Sequence, residues 1–562
     1  ITELKQFNIG HKELIAIANE IEDNKILKKK LQDTGFIYEK LHGYLENKFI
    51  DSEDFINLLI EKAEMSFLLK DAVIWVDGFD YFNPQTILLL EKLMLLAKEV
   101  NINFLLDDSI HVGDKDVFEV SKYSMSRCAE IAERNNLSYD TICLSNDLRI
   151  ESIKEVAFLE RELYAYPFET YKADIENVEI YACSSYNSEV ESIALKIIEL
   201  VREKGYRYRD IAVICNDMDS YGSIIKRAFE EYMIPAFIDV KRNIMHNPFV
   251  EYILSLMDVV SKNYRYEDIF RFLKTGFSDF DEDICNGLEN YALRYGIKGE
   301  LWKKDFIYGA DEIGQDNLNQ LNESRKELIK LFEGFENTIN KDGNVAERTE
   351  RLYDFIKNET NINEKMDAWL EYLGSNNELG YVKETAQIWN VIFMVFDQIV
   401  ELVGELEISF EEYVNMIRAG LESVQIAIIP TTADQVLVGT LQRSRIGSVK
   451  ALFLLGVNDG IIPGNKRNDS ILINEERQFL LDRDIELGKN EIFKLKEEKL
   501  SIYRIISKAQ EYLWLSYTAT DAEGKEMRPS LLIDRLRKLF INIKINKDIL
   551  DSTVNSRIIS NP

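Results

Sequence analysis

The residues best suited to bind a polyanion lie in one short stretch of the chain, from Gln435 to Leu455. They combine hydroxyl, amide and guanidinium groups: Thr440, Gln442, Arg443, Ser444 and Arg445. The stretch has three basic residues and no acidic one, although the whole chain has a formal net charge of -30 at pH 7. Guanidinium and hydroxyl groups bind phosphate oxygens, and an amide can bind a base edge. We expect these five residues to contact a nucleic-acid strand. The alternative is a polar connection between core strands that merely lacks acidic residues.

Two apolar runs flank these residues. Val436–Val438 and Ala451–Leu455 have the composition of strands that are buried on both faces of a parallel sheet. The second run leads into the turn sequence Gly456-Val457-Asn458-Asp459-Gly460. Open α/β sheets bind their ligands at the carboxyl ends of their strands. The sequence therefore predicts a ligand-binding edge here.

A second candidate for chemistry follows the apolar run Ala72–Val76. Asp77 and Asp80 lie just after it, where nucleoside triphosphatases hold Mg²⁺ and its water shell. Gly78 stands between them and has no side chain to act as a base. A further apolar run, Ile102–Leu106, predicts a neighbouring strand. Asp80 could substitute as the base, but a turn acid without chemical role is the simpler interpretation.

Composition limits the class of protein. The 98 acidic against 68 basic residues argue against a protein coated in nucleic acid, but they allow a basic groove within an acidic surface. Five cysteines are scattered without a C-x-x-C pair: Cys128, Cys143, Cys183, Cys215 and Cys285. They predict neither disulfides nor a metal site, and they favour a reducing cytoplasm. No apolar run reaches the ~20 residues that cross a bilayer. Because the chain begins at Ile1 without a signal-peptide pattern, we expect a fragment of a longer protein.

Several motifs resemble one known family. The pattern Val-x-Val-x-Thr-x(9)-Lys-Ala-Leu-Phe-Leu-Leu-Gly-Val-Asn-Asp-Gly-Ile-Ile-Pro, which begins at Val436, resembles the fifth signature motif of UvrD-like superfamily 1 helicases. It resembles still more closely the AddB branch, the B subunits of AddAB-type helicase-nucleases. Asp77-Gly78-Phe79 resembles the degenerate second motif of that branch. Ser507-Lys508-Ala509 stands where active enzymes have Thr-Arg-Ala.

The resemblance implies a fold. It indicates an α/β protein with two RecA-like parallel-sheet domains, the first of them incomplete, and inserted all-helical subdomains. The predicted divisions are a helical 1B-like subdomain (1–70), a partial first RecA-like domain lacking its P-loop strand (71–165), the second RecA-like domain (166–260 and 426–541), a helical 2B-like insertion (261–425), and the start of a linker to an absent nuclease domain (542–562). The insertion contains three tryptophans that we expect in its core: Trp302, Trp369 and Trp389.

The resemblance also implies a vestigial nucleotide site, formed by Asp77, Asp80 and Lys508. Gly78 replaces the glutamate that polarises the attacking water in active relatives. Lys508 replaces the arginine finger, whose bidentate fork a lysine cannot copy, and a role as a cation at a helix C-terminus suits it better. The segment Phe118–Ile131 has no Gln-x-x-Tyr-x-Trp-Arg motif, and no Gly-x-x-x-x-Gly-Lys-[Ser/Thr] loop occurs anywhere in the sequence. We therefore expect no catalytic or metal-ligating residue in this chain.

By resemblance, the parent protein is a DNA exonuclease subunit that processes double-strand ends for recombinational repair. It would form a cytoplasmic heterodimer with an AddA-type helicase-nuclease subunit, use ATP, Mg²⁺ and a 4Fe-4S cluster, and read a regulatory sequence in single-stranded DNA. The fragment would need no cofactor of its own, would not contact a membrane, and would guide the strand. Two alternatives stay open: an active UvrD-like helicase whose P-loop lies upstream, and a scaffold for a partner subunit that does not touch DNA.

Overall fold

The chain folds into two compact units. The structure, a computed structural model, describes residues 1–46, 49–107, 117–144, 153–239, 242–375, 379–426, 433–441, 446–464, 471–483 and 485–548. The first unit comprises Ile1–Ile238 and Asp434–Pro562, and the second comprises Asp239–Ala433. The boundaries predicted at 260/261 and 425/426 both fall inside the second unit. Residues on the far side of each boundary, such as Phe249 and Ile426, share one apolar core with the helices between them.

The first unit opens with helices and then alternates strands with helices. Its helices up to Ile238 are α1 (Thr2–Gln6), α2 (His11–Glu20), α3 (Lys25–Leu45), α4 (Ser52–Lys62), α5 (Pro84–Leu96), α6 (Glu119–Arg134), α7 (Lys154–Glu162), α8 (Tyr186–Lys204) and α9 (Met218–Glu231). Its strands are β1 (Val73–Val76), β2 (Glu99–Ile102), β3 (Val178–Cys183), β4 (Ile211–Cys215) and β5 (Ala236–Ile238).

The strand predicted at Ile102–Leu106 begins earlier than expected. β2 ends at Ile102 and pairs in parallel with β1 in a two-stranded sheet, with Val73 opposite Glu99. The prediction followed the apolar run, whereas the ladder uses the more polar residues before it. As a result, Asn103 lies just after the last paired residue of β2 and outside the strand.

The second unit is helical. Its helices are α10 (Pro248–Ser261), α11 (Tyr266–Leu273), α12 (Glu282–Tyr295), α13 (Ala310–Ile313), α14 (Gln315–Ile339), α15 (Val345–Asn358), α16 (Ile362–Ser375), α17 (Leu379–Val403) and α18 (Phe410–Ser423). A short antiparallel pair, β6 (Arg242–Asn243) and β7 (Gln425–Ile426), joins its two ends. Ile426, which we predicted to resume the large sheet, belongs to this pair.

Burial in the second unit distinguishes its tryptophans. Trp302 is fully buried and Trp389 stacks on Phe249, with ring centroids 4.8 Å apart. Trp369 does not lie in the core as predicted: it is 38% exposed and stacks on Tyr372. Within α17, Tyr381–Val403 is long and apolar enough to cross a membrane by length and composition, contrary to the expectation from apolar runs. Several of its apolar side chains lie in the core of this unit: Ile388, Ile392, Val395, Phe396 and Ile399. We therefore interpret it as a core helix.

The remaining elements complete a large parallel sheet in the first unit. They are β8 (Val436–Gly439), β9 (Val449–Leu455), α19 (Asn474–Leu481), α20 (Glu491–Ile506), β10 (Ala509–Thr518), α21 (Leu531–Leu539) and β11 (Ile545–Lys547). The strand order is β11-β3-β10-β9-β4-β8-β5, and each pair is parallel. Separate apolar cores cover its two faces. The predicted fold class, α/β with parallel sheets and many helices, is confirmed. The predicted linker is wrong at its start, since β11 is an edge strand.

Candidate nucleic-acid interface

The candidate DNA-binding residues begin at the carboxyl edge of the seven-stranded sheet. Thr440 directly follows β8 at this edge and is half-buried. Gln442, Arg443, Ser444 and Arg445 lie outside the described residues. The residues on either side, Leu441 and Ile446, are 5% and 7% exposed and belong to the same apolar core. The polar segment therefore runs between two anchors on one face of the sheet.

The third basic residue of the stretch lies elsewhere. Lys450 is near the amino end of β9, where its ammonium group lies 3.3 Å from the Asp210 carboxylate and 5.3 Å from the centre of the Tyr206 ring. The amino and carboxyl ends of parallel strands lie at opposite edges of a sheet. Lys450 is thus separated from the edge that carries Thr440, although the sequence places it only ten positions away.

The loop from Gly456 to Gly464 forms the centre of the carboxyl edge. Gly456 has φ +63°, and a Cβ at this position would lie 3.3 Å from the Tyr221 hydroxyl, so both conformation and space favour glycine. The buried Asn458 amide donates to the Thr518 carbonyl (2.7 Å) and the Arg528 carbonyl (3.1 Å), and its oxygen accepts from the Thr518 N–H (3.1 Å). These bonds fix the loop to β10 and to the segment before α21, and they leave Asp459 and Gly460 exposed at its crest.

Two buried carboxyl groups hold the ends of this loop. At the start, Glu189 of α8 accepts hydrogen bonds from the Gly456 N–H (3.0 Å) and from the Tyr221 hydroxyl of α9. Glu189 is 0% exposed, and this burial raises the pKa of its carboxyl against the hydrogen bonds that it accepts. At the end, Glu498 of α20 accepts from the Gly464 N–H at 2.5 Å. The Asn216 amide donates to the Ile461 carbonyl at 3.0 Å. The loop is therefore positioned before any ligand arrives.

The carboxyl ends of β1 and β2 differ from that edge. Asp77 is exposed, and its carboxylate accepts a hydrogen bond from the Asn103 amide at 2.7 Å. Gly78 adopts φ +79° with open space around the position of a Cβ. The backbone of the turn is fastened to α6 through Ser124, whose hydroxyl contacts the Asp80 carbonyl and the Phe82 N–H, each at 3.2 Å.

The Asp80 carboxylate is paired with the guanidinium group of Arg504 on α20. Burial raises the pKa of Asp80, and the Arg504 charge opposes this effect. Lys508 lies after the end of α20, where its N–H donates to the Ile505 carbonyl (2.9 Å) and its carbonyl accepts from the Val449 N–H (3.0 Å). The cation that meets the acid is therefore Arg504 and not Lys508. Sequence reasoning missed it, since 424 positions separate the partners.

The helix that carries Arg504 also packs against α6 and the turn after β1. The rings of Tyr81 and Phe493 have centroids 4.8 Å apart, and those of Phe118 and Tyr503 are 5.1 Å apart. The Lys489 ammonium group lies 4.3 Å from the centre of the Tyr81 ring. An ion pair of Lys496 with Glu119, at 2.5 Å, adds to the contact. We call this set of contacts, together with Asp80–Arg504, the α20 joint.

Comparisons with known proteins agree with this architecture. A family model of the AddB N-terminal domain matches residues 1–160, and a family model of the UvrD-like helicase C-terminal domain matches residues 150–520. The chain belongs to the family of UvrD-like helicase relatives, and it begins with an AddB N-terminal domain. Its motif order, which resembles the AddB branch, is thereby confirmed.

Three similar relatives share one description, the B subunit of an ATP-dependent helicase/deoxyribonuclease. The protein of Alkaliphilus metalliredigens is 41% identical over 567 positions, which cover 98% of this chain and 49% of the relative. The protein of Alkaliphilus oremlandii is 39% identical, with 99% of this chain and 50% of the relative covered. The protein of Caldanaerobacter subterraneus is 36% identical, with 98% and 48% covered. The chain spans about half the length of these relatives.

The family implies ATP with Mg²⁺ and an iron-sulfur cluster, and the described residues fit neither. Asp77 is bonded to Asn103, Asp80 is paired with Arg504, and Gly78 offers no ligand atom. Within the described ranges no group of three His, Cys, Asp or Glu side chains could hold a metal ion. Four of the five cysteines are buried at separate places, and Cys143 is exposed.

Proposed function

We propose that this chain is the helicase-like core of the B subunit of a DNA-end-processing enzyme, in which the nucleotide cleft has become a structural joint. The observation that carries the proposal is the ion pair of Asp80 with Arg504. Asp80 is paired with a guanidinium group, and Asp77 is followed by glycine. The turn therefore lacks the free carboxylate and the neighbouring base that ATP hydrolysis uses.

The second part of the proposal concerns DNA. The carboxyl-edge loops of the seven-stranded sheet guide a single strand, with Thr440, Gln442, Arg443, Ser444 and Arg445 as its contacts. Support comes from three directions: the family, the basic character of the stretch in an acidic chain, and the fixed Gly456–Gly464 loop at the same edge of the sheet as Thr440. Hydroxyl and guanidinium contacts of this kind hold the backbone, and the Gln442 amide could read a base in a regulatory sequence.

The third part of the proposal concerns the activity and the partner of the whole protein. By its relatives' names, it acts as one subunit of an ATP-dependent helicase/deoxyribonuclease. We propose that it forms a cytoplasmic heterodimer with an AddA-type subunit and takes part in recombinational repair. ATP, Mg²⁺ and an iron-sulfur cluster would then be held by the partner or by parts of the protein other than this chain.

ATP turnover of the full-length subunit, purified without its partner, tests the first part. We expect Asp80→Asn to leave turnover unchanged and to lower the melting temperature. Asp71→Asn, an exposed aspartate just before β1, is the matched control and should change neither. Loss of turnover in Asp80→Asn at an unchanged melting temperature would instead support an active UvrD-like helicase.

Fluorescence anisotropy of labelled single-stranded DNA with the 562-residue chain tests the second part. Affinity for single strands falls with salt with a slope of about -0.7 per phosphate contact in a double-logarithmic plot. Arg443→Ala/Arg445→Ala should therefore reduce the magnitude of the slope by about 1.4. Arg207→Ala/Arg209→Ala removes two exposed arginines just before β4, at the opposite edge of the same sheet. Equal behaviour of the two variants would favour the scaffold alternative.

A further inference from the structure

A groove on the surface of the first unit is a second place that could bind a polyanion. One wall is a stripe along α7, formed by Lys154, Ala157, Phe158 and Arg161, whose spacing places them on one helix face. The other wall is the segment Glu169–Ala173. Together they line a shallow, open depression of about 410 Å³. The Ile153 N–H, just before α7, donates to the Gln510 carbonyl near the amino end of β10 at 3.0 Å. The groove thus lies by the amino edge of the sheet, away from the Gly456–Gly464 loop.

The lining of the groove is basic. Lys154, Arg161 and Lys172 contribute three cations, and Glu169 is the one acid among the lining residues. In a chain with a net charge of -30, this is a local reversal of sign. Within the described residues, the ammonium groups of Lys154 and Lys172 have no carboxylate partner. Both side chains can therefore bind an anion without first breaking an ion pair.

Arg161 is an exposed cation that contacts two carboxylates, one of them Glu169 of the opposite wall at 3.6 Å. Its Nε donates to the Glu162 carboxylate at 2.7 Å, and its guanidinium carbon lies 5.7 Å from the centre of the Phe158 ring. Lys154 and Arg161 are seven residues apart on α7, which corresponds to about 10 Å along a helix axis. Positive charge therefore extends along the groove and is not confined to one point.

Beneath the groove, the half-buried Tyr171 packs on two buried rings, Phe158 and Phe540. The rings of Phe158, Tyr171 and Phe540 have centroid distances of 5.2, 5.4 and 5.5 Å. The Tyr171 N–H donates to the Leu539 carbonyl at 2.8 Å, which fixes the segment to the end of α21. Grooves that combine cations along their length with aromatic surfaces bind single-stranded nucleic acids, whose phosphates and bases meet the two kinds of group.

We propose that this groove, which we call the α7 groove, is a second contact for the phosphodiester backbone of single-stranded DNA. Lys154, Arg161 and Lys172 bind successive phosphates, and the half-buried Tyr171 ring supports the sugar or base between them. The choice of DNA as the polyanion rests on the proposed function. The location of the groove does not, because it follows from the charges and the cavity alone.

The test uses the anisotropy titration of the 562-residue chain at several salt concentrations. Lys154→Ala/Lys172→Ala should weaken binding and reduce the magnitude of the salt slope by about 1.4, as two phosphate contacts are lost. Lys12→Ala/Lys29→Ala removes two exposed lysines of α2 and α3 and should leave slope and affinity unchanged. Lys154→Glu/Lys172→Glu should weaken binding further. Because these side chains are exposed, the variants should keep the wild-type melting temperature.

The outcomes separate this inference from the proposed function. A smaller slope in the Lys154/Lys172 variant alone supports the α7 groove and contradicts the carboxyl-edge contact. A smaller slope in the Arg443/Arg445 variant alone does the reverse, and no effect in either contradicts both. Competition by inorganic phosphate or ATP as strong as that by the oligonucleotide would show a single-anion site and overturn the strand contact. Binding of polyglutamate that requires both lysines, without an effect of the lysines on DNA binding, would also overturn it.

Discussion

The turns after β1 and after β9 both follow a parallel strand at its carboxyl end, yet they are built for different purposes. After β1, the side chains Asp77 and Asp80 are engaged by Asn103 and Arg504. After β9, buried carboxyl groups from neighbouring helices hold the loop from behind and leave its crest exposed. The polar side chains of the first turn are paired with neighbouring side chains, while those of the second hold a loop whose crest stays exposed.

The strands of the two sheets that carry these turns also differ in how far their side chains are buried. In β1 the side chains alternate between half-buried and exposed, and Trp75 is 76% exposed. In β4, next to β9, all five residues are buried. A strand buried on both faces fixes the position of the loop that follows it.

The largest expected effect comes from the support of the second loop. Glu189→Ala leaves the buried Tyr221 hydroxyl and Gly456 N–H without an acceptor, so we expect a loss of about 3 kcal/mol in the free energy of unfolding. Chemical denaturation measures it. Glu189→Gln keeps an acceptor of similar shape and should lose much less. An alanine variant as stable as the wild type would show that Glu189 does not hold the loop.

The difference in stability between the wild type and the Glu189→Gln variant should also depend on pH. Burial raises the folded-state pKa of Glu189 above its ordinary value of 4.5, so the folded protein keeps a proton that the unfolded chain releases. Stability from this group is therefore complete below about pH 4.5 and is lost as pH rises through the folded pKa. The stability of Glu189→Gln relative to the wild type should thus increase as pH rises from 4.5. A difference that is constant with pH would contradict the assignment.

Glycine substitutions compare the two turns directly. Gly456 and Gly78 both have positive φ, but only Gly456 has a neighbour, the Tyr221 hydroxyl, within 4 Å of the place that a Cβ would take. Gly78→Ala should lose about 1 kcal/mol from backbone strain, and Gly456→Ala about 2 kcal/mol because the hydroxyl must also move. Thermal unfolding of the two variants measures the difference. Equal losses would mean that the second turn is no more tightly built than the first.

Removal of Arg504 tests the α20 joint. Arg504→Ala leaves the Asp80 carboxylate unpaired in a partly buried place, and we expect a loss of about 1 to 2 kcal/mol. A double-mutant cycle with Asp80→Asn should show a coupling of at least about 0.5 kcal/mol, as for residues in direct contact. Additive effects would show that the ion pair does not stabilise the joint. The measurement is equilibrium denaturation of the four proteins.

The smallest effect is expected at the amino edge. Lys450→Ala removes a half-buried pair with Asp210 near the surface, and we expect a loss of about 0.5 kcal/mol. DNA affinity should not change, although Lys450 belongs to the same basic stretch as Arg443 and Arg445. A clear drop in affinity would show that the amino edge near Lys450 contacts the strand.

The sequence predicted the positions of helices and strands better than the contacts between distant residues. Runs of branched apolar residues located β8 and β9 because strands buried on both faces must be apolar throughout. The same criterion misplaced β2, whose ladder uses Glu99–Ile102. It also missed β11, since Ile545–Lys547 is a polar edge strand without an apolar run.

Pairs that are distant in the chain could not be read from local patterns. Glu189 has the appearance of a solvent-exposed acid in the first turn of an amphipathic helix, and only the fold places Gly456 against it. Arg504 lies in a helix with several other charged residues, and nothing in its neighbours indicates a partner near β1. The chemical types of the residues at both turns could therefore be predicted from the sequence. The long-range pairs, Glu189 with Gly456 and Arg504 with Asp80, could not.

Photocross-linking of the 562-residue chain to bromouracil-substituted single-stranded DNA, followed by mass spectrometry of the cross-linked peptides, tests the difference between the two edges most directly. We expect cross-links in peptides from residues 440–464. Cross-links at the turn of Asp77–Asp80, with none in residues 440–464, would contradict the assignment of the second loop as the strand-binding edge.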